Sequence, residues 1–174
     1  SALYDRTAMR SIWTLILLVQ AFASTAQQAV VRYAYGPFGS IGDAAYVVEK
    51  GRIYQACGPF GSKGPCLFVY DEEAVYRSAD AFGQRGLGMF RMGGDKVFRC
   101  SGAFCTKGSC VLLVEKQKVF RGDGAFCNKG DGGFVLDGNI VYLGEGPFCN
   151  KADALFHVQG EIPMIALLAI LGMW

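Results

Sequence analysis

The chain carries few of the residues that usually do chemistry. Its one histidine, His157, lies in the segment Phe156-His157-Val158, where equivalent segments elsewhere carry Val47, Val69, Arg91, Leu113 and Val135. It reads as a drifted strand residue, not as a catalytic base. No serine nucleophile elbow, phosphate-binding glycine loop or histidine-containing metal motif is present, so no catalytic residue, cofactor or metal ion is expected. Excess charge is also scarce. Seventeen Lys and Arg against fifteen Asp and Glu give a net charge of +2, dispersed along the chain, which removes the bulk electrostatic reason to expect nucleic acid as a partner. No apolar run reaches the ~18 to 20 residues that a bilayer-spanning helix needs, so no transmembrane span is expected once the N-terminal segment is removed.

What the chain does have is a strict period. Phenylalanine recurs at Phe38, Phe60, Phe82, Phe104, Phe126 and Phe148, each 22 residues after the last. Seven residues before each stands Val31, Ile53, Val75, Val97, Val119 or Val141. Eight residues after stands Tyr46, Phe68, Phe90, Leu112, Phe134 or Phe156. The 24 glycines, about twice the usual ~7% share, follow the same period and so mark turns, not disorder.

In the copy that runs from Lys118 to Asn139, Val119-Phe120-Arg121 reads as a short strand and Gly122-Asp123-Gly124 as a turn. Asn128 to Gly132 reads as a second turn and Phe134-Val135-Leu136 as a second strand. Two short β-branched and aromatic segments separated by Gly, Asn and Asp are a hairpin signature, and the frequent glycines oppose helix. Three apolar columns follow: the periodic Phe, the column Tyr54, Tyr76, Phe98, Phe120 and Tyr142, and the strand column from Tyr46 to Phe156. An isolated hairpin cannot bury such columns, so the copies must pack on one another. The expected fold is all-β, with six tandem 22-residue β-hairpin repeats. A closed ring is favoured over an open solenoid because closure removes exposed strand edges. All six periodic Phe are expected to form a buried structural column.

Residues 1–26 read as a signal peptide. Arg6 and Arg10 precede an apolar run from Ile12 to Val19, followed by Ala21, Ala23, Ser24 and Ala26. Cleavage is expected after Ala23 or Ala26, and Met9 is a candidate start; the alternative is a retained N-terminal helix. Residues 27–161 hold the six-repeat β domain. Residues 162–174, almost wholly apolar, are expected to cap its core. The address that follows is secreted or periplasmic.

The turns Gly36-Pro37-Phe38-Gly39, Gly58-Pro59-Phe60-Gly61 and Asp80-Ala81-Phe82-Gly83, which become Phe-Cys in the last three copies, resemble those of bacterial β-flower proteins. The apolar tail opening Ile162-Pro163 resembles their closing segment. The resemblance runs from about Val30 to Trp174 and implies a repeat fold without catalytic residues. MORN repeats are of similar length, but their Tyr-x-Gly-x-Trp core is absent here.

Seven cysteines also fall into columns. Cys105, Cys127 and Cys149 follow the repeat Phe where earlier copies have Gly; Cys66 and Cys110 share another column, and Cys57 and Cys100 lie before the Phe. Cys57 with Cys66, and Cys105 with Cys110, could each clip a turn, which suits an oxidising compartment. A bridge between neighbours among Cys105, Cys127 and Cys149 is a second arrangement, a three-thiolate metal site a weaker one, and plain small-residue packing needs no chemistry. An odd count leaves at least one thiol without an intramolecular partner.

Lys63, Arg85, Lys107, Lys129 and Lys151 all sit three residues after the Phe. They are expected to line one rim, either as solvated turn residues or as a site for a polyanion. Arg77, Arg99 and Arg121 stand in register with Glu49, Asp71, Glu115 and Asp137, and cross-strand ion pairs between these two sets are expected. The function expected from the sequence is a non-enzymatic module with a structural or binding role. The alternative is a multivalent binder of an envelope glycan or polyanion, in which exposed aromatics and turn residues such as Asn128 and Asn150 touch sugar.

Overall fold

A computed structural model describes residues 28–102 and 104–172; the signal peptide or N-terminal helix expected over residues 1–26 lies outside the described residues. Twelve antiparallel strands follow one another in chain order: β1 (Ala29–Tyr35), β2 (Ser40–Glu49), β3 (Arg52–Cys57), β4 (Ser62–Tyr70), β5 (Ala74–Ser78), β6 (Arg85–Gly93), β7 (Lys96–Ser101), β8 (Thr106–Glu115), β9 (Lys118–Asp123), β10 (Asn128–Asp137), β11 (Ile140–Glu145) and β12 (Asn150–Gln159). Each pairs with its neighbours in sequence, and β12 returns to β1 with Val31 opposite Val158 and Tyr33 opposite Phe156. The six hairpins therefore close into a ring with no free edge, as the period favours.

One helix among the described residues, α1 (Met164–Leu171), follows β12. It has no side-chain cap and no charged residue in its first or last turn, and all seven residues from Ile165 to Leu171 are buried. A helix that is apolar on every side has to be surrounded, and the ring surrounds this one. Val31, Ile53, Val75, Val97, Val119 and Val141, with Phe68, Phe134 and Phe156, form one apolar core with α1. The apolar tail expected to cap the ring thus enters its lumen.

Within each hairpin the two strands differ in length, and the longer one is bulged. Between β3 and β4, Ile53 faces Phe68, Tyr54 faces Cys66 and Ala56 faces Lys63, so β4 gains two residues on β3; every hairpin repeats this shift. Bulges bend the strand that carries them. Here they fold the Phe-bearing turn outward, onto the outer wall of the hairpin before it. The Ala154 N–H donates to the Gly36 carbonyl at 3.0 Å, Cys66 to Ala81 at 3.0 Å and Gly132 to Gly146 at 2.8 Å. A second apolar layer, containing Phe120, Tyr142, Cys127, Cys149 and Ala154, lies under these turns. The opposite end of the ring carries short turns such as Lys50-Gly51, both at positive φ (49° and 74°), as a type I′ hairpin requires.

The expectation for the periodic Phe is corrected. Phe38, Phe60, Phe82, Phe104, Phe126 and Phe148 are 76 to 91% exposed and belong to neither apolar layer. Ile170→Ala, which empties space inside the ring, is expected to lower unfolding free energy by ~2–5 kcal/mol in chemical denaturation. Phe104→Ser, at a fully solvated position, is expected to stay within ~0.5 kcal/mol of the parent.

Candidate functional site: the phenylalanine turns

Each outward turn is built the same way. The residue after Phe donates its N–H to the residue before the turn's Pro or Ala, as in Gly39 to Gly36 at 3.3 Å and Cys149 to Gly146 at 3.1 Å. Gly36, Gly58, Gly102, Gly124 and Gly146 take positive φ at the turn entrance. In the third copy Asp80 replaces this glycine, and its carboxylate accepts the N–H groups of Gln84 (2.9 Å) and Phe82 (3.0 Å). Those bonds, Gln84's foremost, hold the Asp80 carboxyl below its ordinary pKa. The Phe itself stands third in the turn, at the apex, where a side chain has no route to the core.

Burial alternates sharply through the next three residues. Gly39, Gly61, Gly83, Cys105, Cys127 and Cys149, directly after each Phe, are all buried at positive φ. They face the neighbouring hairpin: a Cβ on Gly39 would meet Ile140 and Ala154, and one on Gly61 would meet Ala44 and Val30. One residue further on come Ser40, Ser62, Gln84, Thr106, Asn128 and Asn150, all exposed. Every exposed Phe is therefore accompanied by a neutral side chain that can both donate and accept hydrogen bonds. The aromatic residues were visible from the period alone; this polar column was not singled out, although it keeps the same spacing.

The basic column comes next, and it is already occupied. Lys63 pairs with Glu49, Arg85 with Asp71 (2.9 Å), Lys129 with Glu115 and Lys151 with Asp137 (2.8 Å). The same cations lie over Tyr54, Tyr76, Phe120 and Tyr142. Lys107 lies over Phe98, but its acidic counterpart is replaced by Gly93, a position that a Cβ would crowd against the lysine. The ion pairs expected for Arg77, Arg99 and Arg121 are thus corrected: the acidic column pairs with the turn cations on the outer face. A rim of free cations does not form.

The cysteine pairings are corrected as well. The bridges are Cys100–Cys105 and Cys110–Cys127, and Cys57, Cys66 and Cys149 are free. Cys110–Cys127 ties β8 to the turn of the next hairpin, joining columns 17 residues apart. Elsewhere in those columns one partner is glycine, facing either a cysteine or an alanine: a Cβ on Gly132 would lie 2.6 Å from the Cys149 Cβ, one on Gly83 3.2 Å from the Cys66 sulfur, and one on Gly61 3.2 Å from the Ala44 Cβ. Cys100 was the member of the bridges that the sequence did not assign to a pair. Among the described residues no group of three His, Cys, Asp or Glu side chains is placed to hold a metal ion. The His157 Nε2 lies 2.8 Å from the Asn139 side-chain amide.

Two outcomes are expected. Burial raises the Cys149 thiol pKa and Cys66 is buried. Intact-mass measurement after iodoacetamide treatment of the native protein should therefore add one label, at exposed Cys57, with Cys66 and Cys149 labelled only after unfolding. The ion pairs set a pH window. The Lys63 hydrogen bond holds the Glu49 carboxyl below its ordinary value, so its stabilisation is complete above about pH 4.3 and is lost as pH falls through the lowered pKa. Hydrogen bonds from Lys63 to Glu49 and from Lys151 to Asp137 raise both lysines. Their contribution is complete below about pH 10.4 and disappears as pH rises through the raised values. Tm measured against pH should show a plateau between these limits, and Glu49→Gln should flatten its acid edge.

No protein-family model, curated protein or solved structure matches the chain, so the geometry of the turns is the ground on which a function has to be argued.

Proposed function

We propose that the protein is a non-enzymatic, secreted or periplasmic binding module that holds a glycan of the cell envelope through its six phenylalanine turns. The observation that carries this reading is the exposure of all six Phe, each two residues from an exposed neutral Ser, Gln, Thr or Asn. An aromatic face accepts the apolar face of a pyranose ring, and a neighbouring hydroxyl or amide bonds its hydroxyl groups in either direction. The same large apolar side chain stands in water at six equivalent positions around the ring, a regular array and not a scatter of unrelated surface residues.

The spacing suits a polymer. Successive turns are two strands apart, about 10 Å at the wall, so they form separate contact points around a circle and not one continuous patch. Weak contacts distributed in this way gain strength by acting together on a repeating ligand. The neutralised basic column supports a glycan over a polyanion, since four of its five cations already have carboxylate partners. The two disulfides suit the oxidising compartment in which such a ligand occurs.

Co-sedimentation with purified peptidoglycan sacculi tests this. Retention should survive 0.5 M NaCl, which screens charge-based binding, and should survive Lys151→Glu. Replacing Phe104 and Phe126 by Ser should weaken retention by about tenfold or more, and replacing all six should abolish it without changing Tm. Salt-elutable retention that ignores the Phe substitutions would overturn the reading.

A further inference from the structure

Three arginines without acidic partners, Arg77, Arg99 and Arg121, point to a second site, at the open end of the ring's lumen. Arg77 lies opposite Phe68, Arg99 opposite Phe90 and Arg121 opposite Leu112. Directly opposed residues of antiparallel strands share a face, and these three partners pack in the luminal core. The arginines therefore stand on the luminal face of β5, β7 and β9 at one level, where all three are exposed to solvent above an apolar layer. In the other three repeats the same position is Tyr33, Gln55 or Leu143. Their guanidinium groups have no ion pair or hydrogen-bond partner among the described residues.

Beside them α1 does not fill the lumen. A cavity of about 150 Å³ lies between the helix and the wall, bounded chiefly by Val75, Phe90, Val97, Leu112, Leu168 and Ala169, and Arg99 is the one charged residue on its surface. A dry aliphatic cavity of about this size accommodates a benzene-sized molecule. Adjacent arginines are about 10 Å apart at the backbone, two strand spacings, so Arg77 and Arg121 flank Arg99 on either side of the cavity's edge. Arginine's planar fork matches a carboxylate.

We propose that this cavity binds a small apolar carboxylate, with a benzene-sized tail between α1 and the wall and its carboxylate on Arg99, flanked by Arg77 and Arg121. The arrangement of an apolar pocket with a few convergent polar groups is the usual form of a small-molecule site. It is independent of the phenylalanine turns, which lie on the outer face.

Phenylacetate is the probe, with binding followed by titration calorimetry and ligand-observed NMR on the full chain. One equivalent should bind saturably. Arg99→Gln should weaken phenylacetate at least tenfold while leaving the neutral phenylacetamide unchanged. Ala169→Phe, which occupies the cavity, should remove both, and the variant with all six exposed Phe replaced by Ser should bind phenylacetate normally. Should Ala169→Phe fail to fold, the Arg99→Gln comparison decides alone, because that side chain is exposed. The proposal is overturned if phenylacetate does not saturate at millimolar concentration or if Arg99→Gln leaves its affinity unchanged. Binding seen only in a chain ending at Gly172 would overturn it too, because the chain's own last residues would then be the occupant.

Discussion

Burial of α1 inside the ring is the interaction on which the other features depend. Twelve strands closed on themselves satisfy their backbone hydrogen bonds but enclose a space lined by valine, isoleucine and phenylalanine, into which α1 packs. Each Leu or Ile transferred from water into that space contributes about 1.5–3 kcal/mol, and α1 supplies Ile165, Leu167, Leu168, Ile170 and Leu171 together. Because the lumen provides the cohesion, the outer face is left free to specialise. It carries the ion pairs, the folded-back turns and the solvated Phe, none of which has to hold the ring closed.

Much of this was legible in the sequence, for reasons that also explain what was not. The 22-residue period located two strands in every repeat, since Gly, Asn, Asp and Pro punctuate the chain through backbone geometry that does not depend on tertiary context; Asn128 to Gly132, read as a second turn, is instead the bulged first half of β10, and the turns of that copy are Gly124 to Cys127 and Gly138-Asn139. The face on which a side chain lands depends on counting in twos along a strand, and two bulges per hairpin break that count between the core position and the turn. Equal spacing therefore made the six Phe look like a core column. Their placement between Pro or Ala and a positive-φ residue, at the apex of a turn, was the available signal that they are exposed. The same count holds without interruption on the shorter strands, where Val75 to Arg77 and Val97 to Arg99 put the arginines on the luminal face. That parity excludes pairing with acids on the outer wall.

The residue after each Phe shows how one geometric demand admits two chemistries. It must take positive φ and must fit against a neighbouring hairpin. Glycine meets both conditions, and cysteine meets them when its sulfur replaces a side chain missing from the facing strand. Only where both facing positions carry sulfur, at Cys110 and Cys127, does the packing contact become a covalent link between successive hairpins. The sequence displayed the columns but not which pairs meet across the fold-back, because that depends on the outward bend of the bulged strand.

The helix also acts as a gauge. The circumference of a closed sheet grows with strand number, while the girth of an aliphatic helix is fixed, so the lumen and its filler agree at one count of hairpins. A ring with fewer copies would squeeze α1 out, and one with more would admit water around it. Tandem duplication adds repeats easily at the level of the gene; here eight residues of helix determine how many the folded protein retains.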